Sequence, residues 1–173
     1  LPKAGNSTVQ DCLQTAKGSA DLLLTIVNDL LDSARIESGK LELEAAPFSL
    51  RRMLDQITRV LSARASEKGL CFCCRMPDET PDAVLGDQMR LQQVLLNLTG
   101  NAIKFTERGD VEISLRALPQ DDEACLEFAI RDTGIGIPPE SLGNIFNCFT
   151  QSDGSMSRKY GGTGLGLSIV KQL

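Results

Sequence analysis

The clearest pattern of apolar and polar positions lies in the first 38 residues. Val9, Leu13, Ala16, Ala20, Leu23, Val27, Leu30 and Ala34 recur at alternating spacings of four and three, a heptad seam held without a slip. Leu24 and Leu31 widen the stripe. The pattern predicts a helix from about Ser7 to Ser38, roughly 50 Å long, with Gly39 as its stop. An amphipathic helix lying on a globular core would show a similar stripe. The length and the strict 3.5-residue period favour a bundle or coiled coil instead. No other stretch of the chain offers a matching seam, so the partner is expected to be another chain or a segment outside this one.

After Gly39 the period changes. "KLELE" alternates and predicts a strand. Ser49 is placed to cap a helix from about Leu50 to Glu67 with Leu50, Leu54, Ile57 and Leu61 inward, ended by Gly69. "LCFCCRM" predicts a strand, and two prolines mark the loop after it. Asp87 is placed to cap a second helix, whose apolar face is Leu91, Val94, Leu95, Leu98 and Ala102. "DVEISLRAL" and "ACLEFAIRD" predict two strands joined as a hairpin by "PQDDE". "TGIGIPPE" reads as a loop, Pro139 and Glu140 as the opening of a short helix through "SLGNIF", and residues 150–160 as a polar, mobile segment. A last helix begins near Gly164 and still runs at Leu173.

Composition narrows the function. The 173 residues carry a net charge of −5 with no basic run, which argues against nucleic acid as the main partner. No 18-residue apolar stretch exists, so no membrane contact is expected of this chain. It starts at Leu1 without Met, which suggests a piece of a longer protein whose address lies elsewhere. Six cysteines are present and no histidine. "CFCC" lacks CxxC spacing and has no histidine to complete a mixed metal site, so buried reduced thiols in a reducing cytoplasm are the simpler reading. Without histidine, Ser-His and Cys-His catalysis are excluded. Chemistry must rest on carboxylates, amides, cations and backbone groups.

Three stretches carry candidate chemistry. In "NLTGNAIKF", Asn97, Asn101 and Lys104 share one helix face. Asn is a poor helix former, so two in mid-helix need a reason. They are either surface amides or, for Asn101, an oxygen ligand for Mg²⁺, with Lys104 against a phosphate. In "DTGIGIPPE", Asp132 ends a strand and is followed by Gly134 and Gly136. A carboxylate there accepts hydrogen bonds, as from adenine's exocyclic amine, and glycines let a flat base approach; an ordinary turn would look the same. In "GGTGLGLSIV" four glycines in residues 161–166 run into a helix. The stretch fits neither the GxxxxGK[ST] phosphate loop nor the GxGxxG dinucleotide turn. Free amides at a helix start still attract anions.

Taken in order, these stretches resemble the catalytic and ATP-binding region of sensor histidine kinases. The N, G1, F and G2 boxes of that family are similar to "LQQVLLNLTGNAIKFTERG", "DTGIGI", "IFNCFTQSDGS" and "GGTGLGLSIVKQL". "LLTIVNDLLDSARIESGKLELE" resembles the second dimerisation helix and its exit strand, and "FTQSDGSMSRKYGGTGLGL" is most similar to hybrid kinases with receiver domains. The resemblance implies an α/β two-layer sandwich of Bergerat type, lacking its final strands and preceded by a long coiled-coil-like helix. It places residues 1–39 in a dimerisation hairpin and 40–173 in the ATP-binding domain. It implies ATP and Mg²⁺ as cofactors, with Asn101 as metal ligand. Asn97 and Lys104 would lie on the phosphate side and Phe105 beside the nucleotide. Asp132, Gly134, Gly136 and Ile137 would form the adenine wall. Residues 150–161 would be an ATP lid bearing Arg158 and Lys159, and Gly162, Thr163, Gly164, Leu165 and Gly166 would cradle phosphates.

The implied activity is transfer of the γ-phosphoryl of Mg-ATP to a histidine on a helix absent from this chain, for relay to a response regulator receiver domain. The implied partners are a second copy through the first helix, the phospho-accepting hairpin and the receiver. A cytoplasmic location follows, with a parent protein that a membrane could anchor. Two alternatives stand beside it: a nucleotide-binding regulatory dimer without transfer, and an ATPase of the gyrase, Hsp90 and MutL type. The latter use a Glu one turn before the Mg²⁺-binding Asn, where this chain has Asn97.

Overall fold

A computed structural model of the chain describes residues 4–39, 41–118, 125–146, 164 and 166–173. The chain divides into two compact units, residues 1–41 and 42–173. The first is a single helix, α1 (Ala4–Glu37). It starts three residues before the predicted Ser7. Much of the heptad stripe is exposed, Leu23 at 64% and Leu30 at 46%. Gly39 follows at φ 64°, and its amide donates to Ile36 O at 2.9 Å, so the helix stops where a left-handed residue is cheapest.

The second unit is built from β1 (Ala46–Ser49), α2 (Leu50–Glu67), β2 (Cys71–Arg75), β3 (Ala83–Gly86), α3 (Gln88–Phe105), β4 (Asp110–Leu118), β5 (Cys125–Asp132), a 3₁₀ turn (Pro139–Ser141) and α4 (Gly166–Gln172). The main sheet has the order β2-β4-β5. β2 runs parallel to β4, and β4 pairs antiparallel with β5, Ile113 opposite Ile130. One face of this sheet carries the helices. Leu54, Ile57 and Leu61 of α2, Leu95 and Ile103 of α3, and Val111, Ile113 and Leu115 of β4 form one buried cluster. This is the expected α/β two-layer arrangement. The other face is polar, with Arg116 and Glu127 paired across the hairpin at 2.8 Å.

Both predicted caps form. Ser49 accepts from Arg52 N at 3.2 Å, and Asp87 accepts from Arg90 N at 3.0 Å. Asp87 also accepts from Glu44 N at 3.1 Å. These backbone donors, Arg90's first, hold the Asp87 carboxyl below its ordinary range. The end of α2 is a Schellman motif: Leu70 N donates to Ala65 O at 3.0 Å and Gly69 N to Ser66 O at 3.0 Å, with Gly69 at φ 69°.

Four expectations are corrected. The strand predicted at "KLELE" does not form over its described residues: 41–45 have no regular structure, and Lys40 lies outside the described residues. Their would-be partner β3 ends at Gly86, opposite Ala46, and the next residue, Asp87, turns away to cap α3. β1 and β3 themselves form a two-stranded antiparallel sheet that the sequence pattern did not predict, because four residues between turn signals are too few for a period. The helix predicted through "SLGNIF" is only a 3₁₀ turn at Pro139–Ser141, followed by turns to Phe146. α4 begins at Gly166 rather than Gly164. The thiols of "CFCC" are not buried as expected: Cys71 and Cys73 are exposed, and Cys74 lies half-buried on the opposite face, where burial raises its thiol pKa.

Candidate nucleotide site

Helix α3 is the spine of the site. Its apolar positions face the core, leaving Asn97 and Asn101 half-buried one turn apart along its edge. Asn97 faces the start of α4: its Nδ2 donates to Gly166 O at 3.5 Å. A Cβ on Gly166 would lie 3.4 Å from the Asn97 amide, ordinary van der Waals contact. The amide stretch and the last glycine of the Gly-rich stretch, 69 residues apart, are therefore neighbours. Gly164 sits at φ 70°, where only glycine is unstrained.

The C-terminal end of α3 meets the loop after β5. Asp132 ends β5 with its side chain exposed and accepts from Gly134 N at 2.9 Å. Thr133 anchors the loop: its amide donates to Asp110 O at 3.2 Å, and its hydroxyl accepts from Asp110 N at 2.9 Å. Ile135 N donates to Phe105 O at 3.4 Å. The two glycines of this stretch serve different ends. A Cβ on Gly134 would stand 2.7 Å from Phe105 O and 3.0 Å from Thr106 Oγ1, whereas Gly136 has open space and a φ of +70°. Ile137 is exposed.

Lys104 is half-buried in the last turn of α3, with its Nζ 4.9 Å from the centre of the Phe105 ring, within cation–π range. Burial pulls its ammonium below the usual lysine value, so an anion beside it would favour the charged form. Of the residues singled out in the sequence, Asn97, Asn101, Lys104, Phe105, Asp132 and Gly134 thus lie along α3 or against its end, with Gly166 beside Asn97. Arg158, Lys159, Gly162, Thr163 and Leu165 lie outside the described residues. Sequence reasoning passed over Thr133, Thr106 and Lys68. Thr106 and Thr133 read as ordinary loop residues, and Lys68 as one more cation at a helix end.

The model of the family described as histidine kinase-, DNA gyrase B- and HSP90-like ATPases matches residues 86–173, and the chain belongs to that family. Within it, the signal transduction histidine-protein kinase BarA of Escherichia coli (strain K12) is 47% identical over 168 residues, covering 96% of this chain and 18% of BarA. Hybrid signal transduction histidine kinase K of Dictyostelium discoideum is 42% identical, covering 92% of this chain and 14% of that protein. Among solved structures, full-length ShkA in complex with AMPPNP aligns with a TM-score of 0.77 at 37% identity, over 94% of this chain and 33% of ShkA. The chain is thus an ATP-binding catalytic region of the histidine-kinase type, and it spans less than a fifth of the curated relatives named here.

Proposed function

We propose that this chain binds Mg-ATP along α3 and presents its γ-phosphoryl to a histidine on a helix outside it, for relay to a receiver domain. The supporting observation is that three motif stretches far apart in sequence meet on one helix. Asn97 lies against Gly166, and the end of α3 lies against Gly134 and Ile135. The Asp132 carboxylate, at the exposed end of β5, would accept the adenine amine. Asn101 would supply an amide oxygen to Mg²⁺, and Lys104 would meet phosphate. Residues 162–166 would line the phosphates. The donor set fits the group: a hard cation takes oxygen ligands and keeps several waters, so one amide and the phosphates suffice. Bound Mg²⁺ would neutralise phosphate charge; the protein's own part is positioning. Asn97 has no carboxylate with which to activate water, which favours transfer over hydrolysis.

The same reading makes residues 1–39 part of a dimerisation hairpin that pairs with a second copy through the α1 seam, and 40–173 the ATP-binding domain. Among the described residues no helix is long and apolar enough to cross a membrane. A cytoplasmic position for this region accords with the reading.

Asp132→Asn tests base recognition. The amide can donate as well as accept, so ATP should bind at least tenfold more weakly, about 1.4 kcal/mol. GTP, whose carbonyl a carboxylate repels, should change little or improve. Calorimetric titration of both nucleotides into the parent and the variant measures the two ratios. Equal losses for ATP and GTP, or none, would remove Asp132 from base recognition.

A further inference from the structure

Helix α3 ends at Phe105, so its last four carbonyls have no partner within the helix. Each has one elsewhere. Ala102 O accepts from Thr106 N at 3.1 Å and from Thr106 Oγ1 at 2.7 Å. Ile103 O and Lys104 O accept from Lys68 Nζ at 2.7 and 2.8 Å. Phe105 O accepts from Ile135 N in the Asp132–Gly136 loop. The ammonium of Lys68 also reaches Thr106 O at 3.0 Å. One side chain, from a different helix, therefore ties off half of the helix end and the residue after it.

The placement of Lys68 is built rather than incidental. Lys68 is the C-cap of α2, and the Schellman bonds of Gly69 and Leu70 fix the chain on its C-terminal side. Leu70 is 6% exposed and Ala65 1%, so the motif is pinned into the core. A cation at a helix C-terminus is favoured by the helix dipole, and hydrogen bonds from a charged donor are about twice as strong as neutral ones. The turn that Lys68 holds is the surface on which the loop closes. Gly134 packs so closely on Phe105 O that a Cβ would collide with it at 2.7 Å and press on Thr106 Oγ1 at 3.0 Å, and that loop carries Asp132. A shift of the last turn of α3 must therefore move the loop or leave a gap beneath it.

We infer that Lys68 is a positioning residue for nucleotide recognition: its ammonium clamps the end of α3 and so sets the place of the Asp132–Gly136 loop, without touching the nucleotide. The inference rests on the proposal that Asp132 reads adenine. Losing the clamp frees the last turn to fray, and the binding-competent loop becomes one state among several. If that state falls to about a tenth of the population, the apparent Kd for ATP rises about tenfold.

The test uses the full chain with Lys68→Met, which keeps side-chain length and removes the charge, and Lys68→Arg, which restores a cation. Hydrogen exchange of the Gly134 and Ile135 amides, followed without nucleotide and well below Tm, reads the clamp itself. ATP and GTP titrations read its consequence. Lys68→Met should accelerate exchange at both amides, weaken ATP about tenfold and narrow the ATP/GTP ratio, with Lys68→Arg recovering most of each loss. A general loss of stability would lower Tm and leave the affinity of the folded protein and its base preference alone. If Lys68→Met does not fold, Lys68→Gln, which keeps an N–H donor without the charge, is read in the same two ways. Unchanged exchange at Gly134 and Ile135 in a folded variant overturns the clamp, whatever ATP does. A parent chain that binds ATP and GTP equally overturns the adenine reading instead, even if exchange responds as expected.

Discussion

Replacing Asn101 with Ala should abolish Mg²⁺-dependent ATP binding while leaving the helix at least as stable as before. Asn101 is half-buried on the edge of α3, one turn after Asn97 and one turn before Lys104. Alanine is the better helix former by several tenths of a kcal/mol, so Tm should hold or rise. The loss should appear as the metal's contribution alone. ATP affinity in Mg²⁺ should fall on the order of a hundredfold, about 2.8 kcal/mol, while the weaker binding in a chelator should barely change. Titrations with and without Mg²⁺ on both proteins measure this as a difference of differences. If Asn101→Ala binds Mg-ATP as the parent does, the metal is held elsewhere.

The second large effect is expected in α1. Leu23 and Val27 lie mid-seam and are 64% and 44% exposed, so a single chain leaves them in water. Seven spacings of four and three between Val9 and Ala34 put one apolar line along a helix of 34 residues. That is the pattern a coiled-coil partner covers. Leu23→Asp together with Val27→Asp would place two carboxylates per chain in the seam, and burying an unpaired charge costs several kcal/mol. In a chain carrying the complete helical hairpin, sedimentation should show the dimer lost. The fold of residues 42–173, a separate compact unit, should be untouched. A dimer that persists with both aspartates would mean that the seam is not the dimer contact.

The sequence was most readable where one period or one cap decides the outcome. Ser49 and Gly69 set the two ends of α2, and Asp87 set the start of α3. The alternating runs set β4 and β5 to within a residue. It was least readable where the deciding partner lies far along the chain. The strand expected at "KLELE" failed because β3 stops at Gly86, which nothing local announces. Gly134 was legible as a glycine that lets a flat base approach. That its absent Cβ makes room for Phe105 O and Thr106 Oγ1 is visible only once α3 and β5 are docked. Lys68 shows the same gap. A lysine before a helix-ending glycine suits its own helix dipole on local rules, yet its ammonium serves the end of a helix some 36 residues later.

The central claim is phosphoryl transfer to a histidine that this chain, with no histidine of its own, must receive from elsewhere. The most direct measurement is labelling with γ-³²P-ATP of the chain alone and of the chain fused to a hairpin bearing one histidine, with acid and alkali stability of the label recorded. The chain alone should bind ATP and acquire no acid-labile, alkali-stable label. Fusion should produce that label on the hairpin histidine, because tethering raises its effective concentration and docking supplies the in-line approach. A fused protein that binds Mg-ATP and remains unlabelled would contradict the account and leave a nucleotide-binding module without transfer.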